Sequence, residues 1–442
     1  MREVVPGRAG RGVWTLALLV VAICVLAFAA PAFASSSPQP VAASPTASEA
    51  AAPASPAAAV SSPAPAGTTT PAVASSPVTS TLTAALSKAS GVFGDPVTIS
   101  GQLDPAAAGQ EVTVKIGDVV AGTATTDAAG AYTLAFTPRR GGDVVASLTA
   151  DPTVVSGPQA LAVKPKVTIT HGALVPFVPS TFVVKVAPSA YDGVVVIKVV
   201  HRGVTVGSYR ARVSNGRAVL QIPLRGVDAF TLDATLQASG GLAARSLQIK
   251  VPVPAKTLSA GSTGPYVKGM LLALQQLKFR VPGVGTTFTV NAKDSVMAFQ
   301  KAYGLSRTYV FNTACWRKID GAKVIKPKYS SPSTHLEVDK GRQILMVVKG
   351  SKVYGIICVS TGATNNTPEG SFHIQQKHPF TTSGFGGILV RTMGFIGNFA
   401  IHGYAPVPPY PASHGCVREP MWVADWTYRH SWVGEAVYIY LS

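Results

Sequence analysis

The spacing of apolar residues changes twice along this chain, and those two changes limit what it can fold into. From 81 to 252 apolar and polar residues alternate in short runs such as "QEVTVKI", "GAYTLAF", "STFVVKVAP" and "GRAVLQIPL", separated by Gly, Asp and Pro. Alternation of period two puts one face of a strand in a core and the other in water. At 262 the period becomes helical. In "STGPYVKGMLLALQQLKF", Val267, Leu271, Leu274 and Leu277 share one face. From 333 strands return. A chain of 442 residues with these switches is too long for one core and reads as several domains, mainly β, with one helical insert.

The first 80 residues carry no such pattern. Arg2, Arg8 and Arg11 precede an apolar run from Val13 to Ala30, and "AFA" at 32–34 offers a small-x-small cleavage site. Residues 1–34 therefore fit an export signal, either cleaved or kept as a membrane anchor. Residues 35–80 are almost entirely Ala, Ser, Pro, Thr and Val, too poor in bulky apolar surface to offset chain entropy, and read as a disordered tether. Export places the folded part outside the cytoplasm, in the cell wall or on the outer face of the membrane, where cytosolic nucleic acid is no partner.

Short strands at this spacing predict β-sandwiches over 81–164 and 165–255. "TTDAAGAYTL" reads as a hairpin turning at Asp127–Gly130. Neither segment gathers Cys, His and carboxylates, so both read as rigid spacers, with His171 and His201 at surfaces or strand edges. Residues 256–322 read as three helices. Pro265 opens the first, with Thr263 or Gly264 as its cap. Asn291 caps the second and Gly304 stops it, and Asn312 caps the third, "NTACWRKIDG". Cys315 and Trp316 belong to its core.

The net charge is +18, and residues 256–329 alone carry +10 of it. A basic surface outside the cell suits an acidic partner such as a wall polymer.

One peptide concentrates chemistry: "IHGYAPVPPYPASHGCVREP", residues 401–420. A thiol of ordinary pKa near ~8.5 is mostly unreactive at neutral pH. An adjacent imidazole can hold it as an ion pair or take its proton during attack. His402 and His414 are both candidates to serve Cys416. Gly415 allows close backbone approach, and N–H groups around Gly415 and Cys416 can stabilise an oxyanion. Pro406, Pro408, Pro409 and Pro411 stiffen the connecting loop. Two other readings stand beside catalysis. His402, His414 and Cys416 could serve zinc, though no CxxC, HExxH or acidic partner accompanies them. A purely structural cysteine is the third, though polar neighbours suit that poorly. Cys358, in "GIICV", reads as core, as does Cys315, and a bridge between them would cross two domains. His335, His373, His378 and His430 read as packing or strand-surface residues.

The motifs carry resemblances. The two strand-rich segments resemble bacterial immunoglobulin-like domains. "GSTGPYVKGMLLALQQLKF", "SVMAFQKAYGL" and "NTACWRKI" resemble the peptidoglycan-binding domain of wall hydrolases and transpeptidases. "SHGCVR", the upstream "IHGY", "VSTG" at 359–362 and "TPEGSF" at 367–372 resemble, in order, the YkuD-type L,D-transpeptidase domain over 333–442. That resemblance implies a β-rich catalytic fold with Cys416 as nucleophile and His402 as general base. His414 shapes the site, Gly403 orients His402 through its carbonyl, and Ser413 and Gly415 complete the motif. Arg418 binds substrate carboxylate.

The implied partners are peptidoglycan stem peptides and glycan. The implied reaction cross-links stem peptides through a thioester, releasing D-alanine from a tetrapeptide, with no metal or organic cofactor. A wall-binding scaffold with an inactive catalytic fold is the alternative from another class. A cysteine carboxypeptidase on the same peptides is a third.

Overall fold

The computed structural model describes residues 79–442. The signal or anchor expected over 1–34 and nearly all of the tether over 35–80 lie outside the described residues. The described part is mainly β, built from several sheets, with the helical insert where the sequence period changes.

Residues 81–164 form two sheets. In one, Val97–Asp104 is flanked by Thr81–Leu82 and Ala85–Leu86 and also pairs with Ala131–Phe136. The other runs Ser90–Val92, Gln159–Lys164, Gly142–Leu148, Glu111–Ile116, Val119–Thr125. Alternation decides what is buried: Val112, Val114 and Ile116 face inward, while Glu111 and Lys115 face solvent.

The turn at Asp127–Gly130 exists, with Asp127 Oδ1 accepting the Ala129 and Ala131 amides at 2.9 Å each. It is not a hairpin. Val119–Thr125 pairs with Glu111–Ile116, whereas Ala131–Phe136 pairs with Val97–Asp104 in the other sheet. Tyr132 and Phe136 must reach the core from that second sheet, so the chain crosses over at the turn.

Residues 166–253 repeat the plan with a three-stranded and a four-stranded antiparallel sheet. Val195, Ile197 and Val199 fill its core on alternate positions. His201 departs from expectation. It is buried, its Nε2 lies 2.6 Å from Asp320 Oδ2, and its ring stacks on Phe230 at 4.0 Å. The expected strand-edge position is covered by the end of the helical segment, a partner that strand spacing cannot reveal.

Helices α1 (Pro265–Gln276), α2 (Ala292–Ala302) and α3 (Thr313–Ile319) follow. All four residues of the expected α1 face are buried. Gly264 caps α1 at φ 108°, a conformation glycine adopts without steric cost. Asn312 Oδ1 caps α3, accepting the Cys315 amide at 3.1 Å. The cap of α2 differs: Asn291 already has helical dihedrals and makes no side-chain bond, and Thr289 Oγ1 accepts the Ala292 amide at 3.2 Å instead.

The helical core packs Phe279, Phe299, Phe311 and Trp316, with Trp316 edge-on to Phe311 at 4.7 Å. Each such ring contributes about 1.5–3 kcal/mol through burial. That core is not self-contained. Phe177 and Val227 of the second sandwich join it, and so do Ile344, Met346, Ile356, Cys358 and Val407 from beyond residue 333.

The last domain has two sheets. The first contains β1 (His335–Asp339), β2 (Ile344–Lys349), β3 (Lys352–Cys358), β4 (Gly370–His373) and β9 (Ala436–Tyr440), in the order β3-β2-β1-β9-β4. The second contains β5 (Gln376–Thr382), β6 (Ile388–Ile396), β7 (Phe399–Gly403) and β8 (Val417–Glu419), in sequence order. Helix α4 (Met421–Arg429) follows β8 at once. Cys315 and Cys358 are buried free thiols with no disulfide between them.

Candidate active site

The second sheet positions the site. Strands β7 and β8 are parallel, with Ile401 opposite Val417 and His402 opposite Arg418. Ile401 and Val417 point into the core. Alternation then turns His402, Arg418 and Cys416 to the other face. One step back in register, Cys416 lies beside Ala400, whose N–H faces the thiol. With strands ~4.8 Å apart and two residues of offset, the His402 and Cys416 backbones stand roughly 8 Å apart on one face, and among the described residues the thiol and the imidazole make no hydrogen bond to each other.

That face opens into a cleft of about 770 Å³. The β5–β6 hairpin supplies one wall, including Phe385 and Thr392. The other wall holds Phe399, His402, Tyr404, Ser413, His414, Cys416 and Arg418. Among the described residues no carboxylate lines it. Gly403 and Gly415 lie beside it as backbone. Gly403 sits where an added Cβ would come 2.7 Å from Ala424 of α4, so its lack of a side chain lets α4 pack on β7. Gly415 has φ 132°, and a Cβ there would lie 2.4 Å from Phe399 Cε1.

His402 is 2% exposed. Its Nδ1 lies 3.2 Å from the Gly403 carbonyl. A carbonyl only accepts, so Nδ1 carries the proton and Nε2 holds the free lone pair. Burial first, then the Arg418 cation, holds the imidazole below its ordinary pKa, against the Gly403 bond. The Cys416 thiol is pushed up by burial, against the Ala400 N–H and Arg418. Both shifts favour the neutral forms, thiol and imidazole, over an ion pair. The thiol lies 3.5 Å from the Asn398 carbonyl.

The turn carrying Cys416 is held by the "VSTG" and "NTPEG" segments. Thr361 O accepts the Ala412 and Ser413 amides at 2.9 and 3.0 Å, and Ala363 N–H donates to Ser413 O at 2.9 Å. Asn366 Nδ2 donates to His414 O at 2.8 Å, and Thr367 Oγ1 donates to Gly415 O at 2.7 Å. Ser413 Oγ donates to the Cys416 carbonyl and accepts the Gly415 N–H at 3.0 Å. That last bond corrects one expectation: the Gly415 amide is occupied within the turn and is not free to serve an oxyanion.

His414 is exposed and stacks on Phe385 at 4.2 Å with 11° between the planes. It does not replace His402 as the buried imidazole of the site. Arg418 stands over the Tyr404 ring at 4.6 Å and makes no ion pair among the described residues. His378 lines the cleft, contrary to a purely strand-surface role, because the β5–β6 hairpin folds over the site. His373 is exposed on β4, outside the lining. His430 ends α4, its Nδ1 2.8 Å from Trp426 O, and His335 is buried 3.0 Å from Glu337. Asn366, Thr367, Asn398 and Phe385 were not singled out from the sequence. Only Thr367 lay within a quoted motif.

Residues 333–439 match the family model of the L,D-transpeptidase catalytic domain, YkuD. The chain carries a YkuD L,D-transpeptidase catalytic domain. Among solved structures, the L,D-transpeptidase from Xylanimonas cellulosilytica (its residues 123–326) is 30% identical, covering 43% of this chain and 100% of that one, with a TM-score of 0.41. An L,D-transpeptidase from Stackebrandtia nassauensis is 20% identical over 41% of this chain and 94% of that one, with a TM-score of 0.28. The L,D-transpeptidase LdtMt1 in complex with imipenem is 13% identical over 63% of this chain and 99% of that one, with a TM-score of 0.23. No curated protein matches the chain. This L,D-transpeptidase is therefore an enzyme of peptidoglycan cross-linking, with peptidoglycan as substrate.

Proposed function

We propose that this L,D-transpeptidase joins stem peptides through a thioester on Cys416, with His402 as the base. One observation carries the reading. The Gly403 carbonyl fixes the His402 tautomer with Nε2 free, on the strand beside the thiol and in the same cleft.

In the first step Nε2 takes the thiol proton as sulfur attacks the carbonyl of the third stem residue. The C–S bond forms, the C–N bond to D-alanine breaks, and the imidazolium returns its proton to the departing amine. In the second step an amine of a neighbouring stem attacks the thioester, giving its proton to His402. The thiolate leaves and is reprotonated, so no net proton is consumed. The Cys416 N–H makes no hydrogen bond among the described residues and is the oxyanion donor in this reading. Arg418, unpaired in a cleft without carboxylates, holds a stem carboxylate. His414 shapes the mouth of the cleft through its stack on Phe385.

The remaining parts fit an exported wall enzyme. The N-terminal segment exports or anchors the chain, and the tether spaces it from the membrane. The two sandwiches act as immunoglobulin-like spacers. The basic helical segment contacts peptidoglycan or acidic wall polymers. Mass spectrometry after exposure to imipenem tests the chemistry: a covalent adduct confined to the peptide containing Cys416 is expected. An unmodified Cys416 under conditions where the protein is folded contradicts it.

A further inference from the structure

The segment 405–411, "APVPPYP", enters the turn that carries Cys416. Four of its seven residues are proline and have no N–H, so it cannot close its own hydrogen-bonded turns. Its carbonyls need outside donors. The helical segment provides them. Tyr309 Oη donates to Val407 O at 3.3 Å, Lys301 Nζ to Pro408 O at 3.3 Å, and Arg307 Nη1 to Pro409 O at 2.7 Å. The Val407 side chain is buried in the core shared with the helices. The next carbonyl, Tyr410 O, accepts Ser360 Oγ at 2.8 Å from the catalytic domain itself.

Lys301 is the unusual member. It is 2% exposed, and its ammonium has no carboxylate within ion-pair distance among the described residues. The nearby Asp294 carboxylate accepts Trp422 Nε1 at 3.0 Å. Burying an ammonium costs several kcal/mol, and burial holds this one down at about 8. Its second bond goes to Val359 O at 2.7 Å. Just after β3, Val359 begins the "VSTG" stretch, whose Thr361 O accepts the Ala412 and Ser413 amides. One buried cation thus ties together the two backbones that frame the Cys416 turn. An apolar side chain there would avoid the desolvation cost but would leave both carbonyls without donors.

We propose that the helical segment is a working part of the active site, with Lys301 and Arg307 as positioning residues that hold 407–409, and through it the Cys416 turn, in geometry for acylation. The inference rests on Cys416 being the nucleophile. It makes the wall-facing helices and the catalytic domain one mechanical unit, because the same short segment is packed by one and used by the other.

The test uses the full chain. Lys301→Met removes the donor, Lys301→Arg keeps a cation with donors, and Arg307→Gln removes a half-buried cation from the same contact. The readouts are the second-order rate of imipenem acylation at Cys416, followed by mass, and kcat and KM on a tetrapeptide muropeptide. Misplacing a reacting group by about 1 Å can cost roughly a hundredfold. The expected result is a loss of about tenfold or more in acylation rate and in kcat for Lys301→Met and Arg307→Gln. KM stays within about twofold, and Lys301→Arg regains most of the rate. If Lys301→Met does not fold, Arg307→Gln decides. Wild-type rates in Arg307→Gln or in folded Lys301→Met overturn the positioning role alone. A wild-type protein that takes no adduct on Cys416 overturns the nucleophile assignment and this inference with it.

Discussion

The hydroxyl of Thr367 donates to the carbonyl of Gly415 at 2.7 Å and accepts the amide of Gly362 at 2.8 Å. One buried side chain therefore joins the "TPEG", "VSTG" and "SHGC" stretches, although the Gly362 and Gly415 it bonds lie 53 positions apart along the chain. Gly415 sits at φ 132° directly before Cys416, so its carbonyl orientation sets the direction of that residue.

Thr367→Val keeps the shape of that side chain and removes both bonds. Leaving buried groups unpaired costs about 1–3 kcal/mol each. We expect lower thermal stability and a fall of about tenfold or more in imipenem acylation, with Thr367→Ser close to wild type. Equal acylation rates for Thr367→Val and wild type would remove Thr367 from the support of the site.

The pH profile follows from the two perturbed groups. Burial holds His402 below its ordinary value of 6.5 and raises Cys416 above the ordinary thiol value. The base form of His402 is then present at lower pH than usual, so the acid limb of kcat/KM falls below pH 6.5. Arg418→Gln removes a neighbouring cation and moves that limb upward. Thiolate absorbance on Cys416 at neutral pH would instead show a preformed ion pair.

Arg418 also carries a binding prediction. If it holds a stem carboxylate, Arg418→Gln raises KM for tetrapeptide substrate by about tenfold or more. The loss should be smaller on a substrate whose carboxylates are amidated. An equal loss on both substrates would assign Arg418 to tuning His402 rather than to binding.

The alternation of Val112, Val114 and Ile116 and the helical face of α1 were legible because each is a local period with one buried side. Cys416 and His402 were singled out by their motif, and both line the cleft. What lay hidden was long-range. His201 is covered by Asp320, 119 residues away in sequence. The Asp127–Gly130 turn looked like a hairpin, since turn chemistry is local while choice of sheet is not. The Gly415 amide looked free because the hydroxyl that takes it comes from Ser413 curling back in the turn. Phe385, in a glycine-rich loop, had no periodic signal to place it over His414.

Glu419 gives a stability prediction. Its carboxyl is buried against Thr427 Oγ1 at 2.6 Å and pushed up to about 8. Glu435 is raised to about 7. A carboxyl raised on folding favours the fold while neutral, so stability is fullest below its unfolded value near ~4.5 and declines as pH rises through about 8. We expect the melting temperature to fall between pH 5 and 8, and Glu419→Gln to flatten part of that slope. A melting temperature that rises over this range in wild type would contradict the assignment.

The most direct test of the account is chromatography with mass analysis of tetrapeptide muropeptides incubated with the full chain and with Cys416→Ala. New cross-linked dimers and released D-alanine are expected with the wild type, and neither with Cys416→Ala. Dimers formed by Cys416→Ala at the wild-type rate would contradict it.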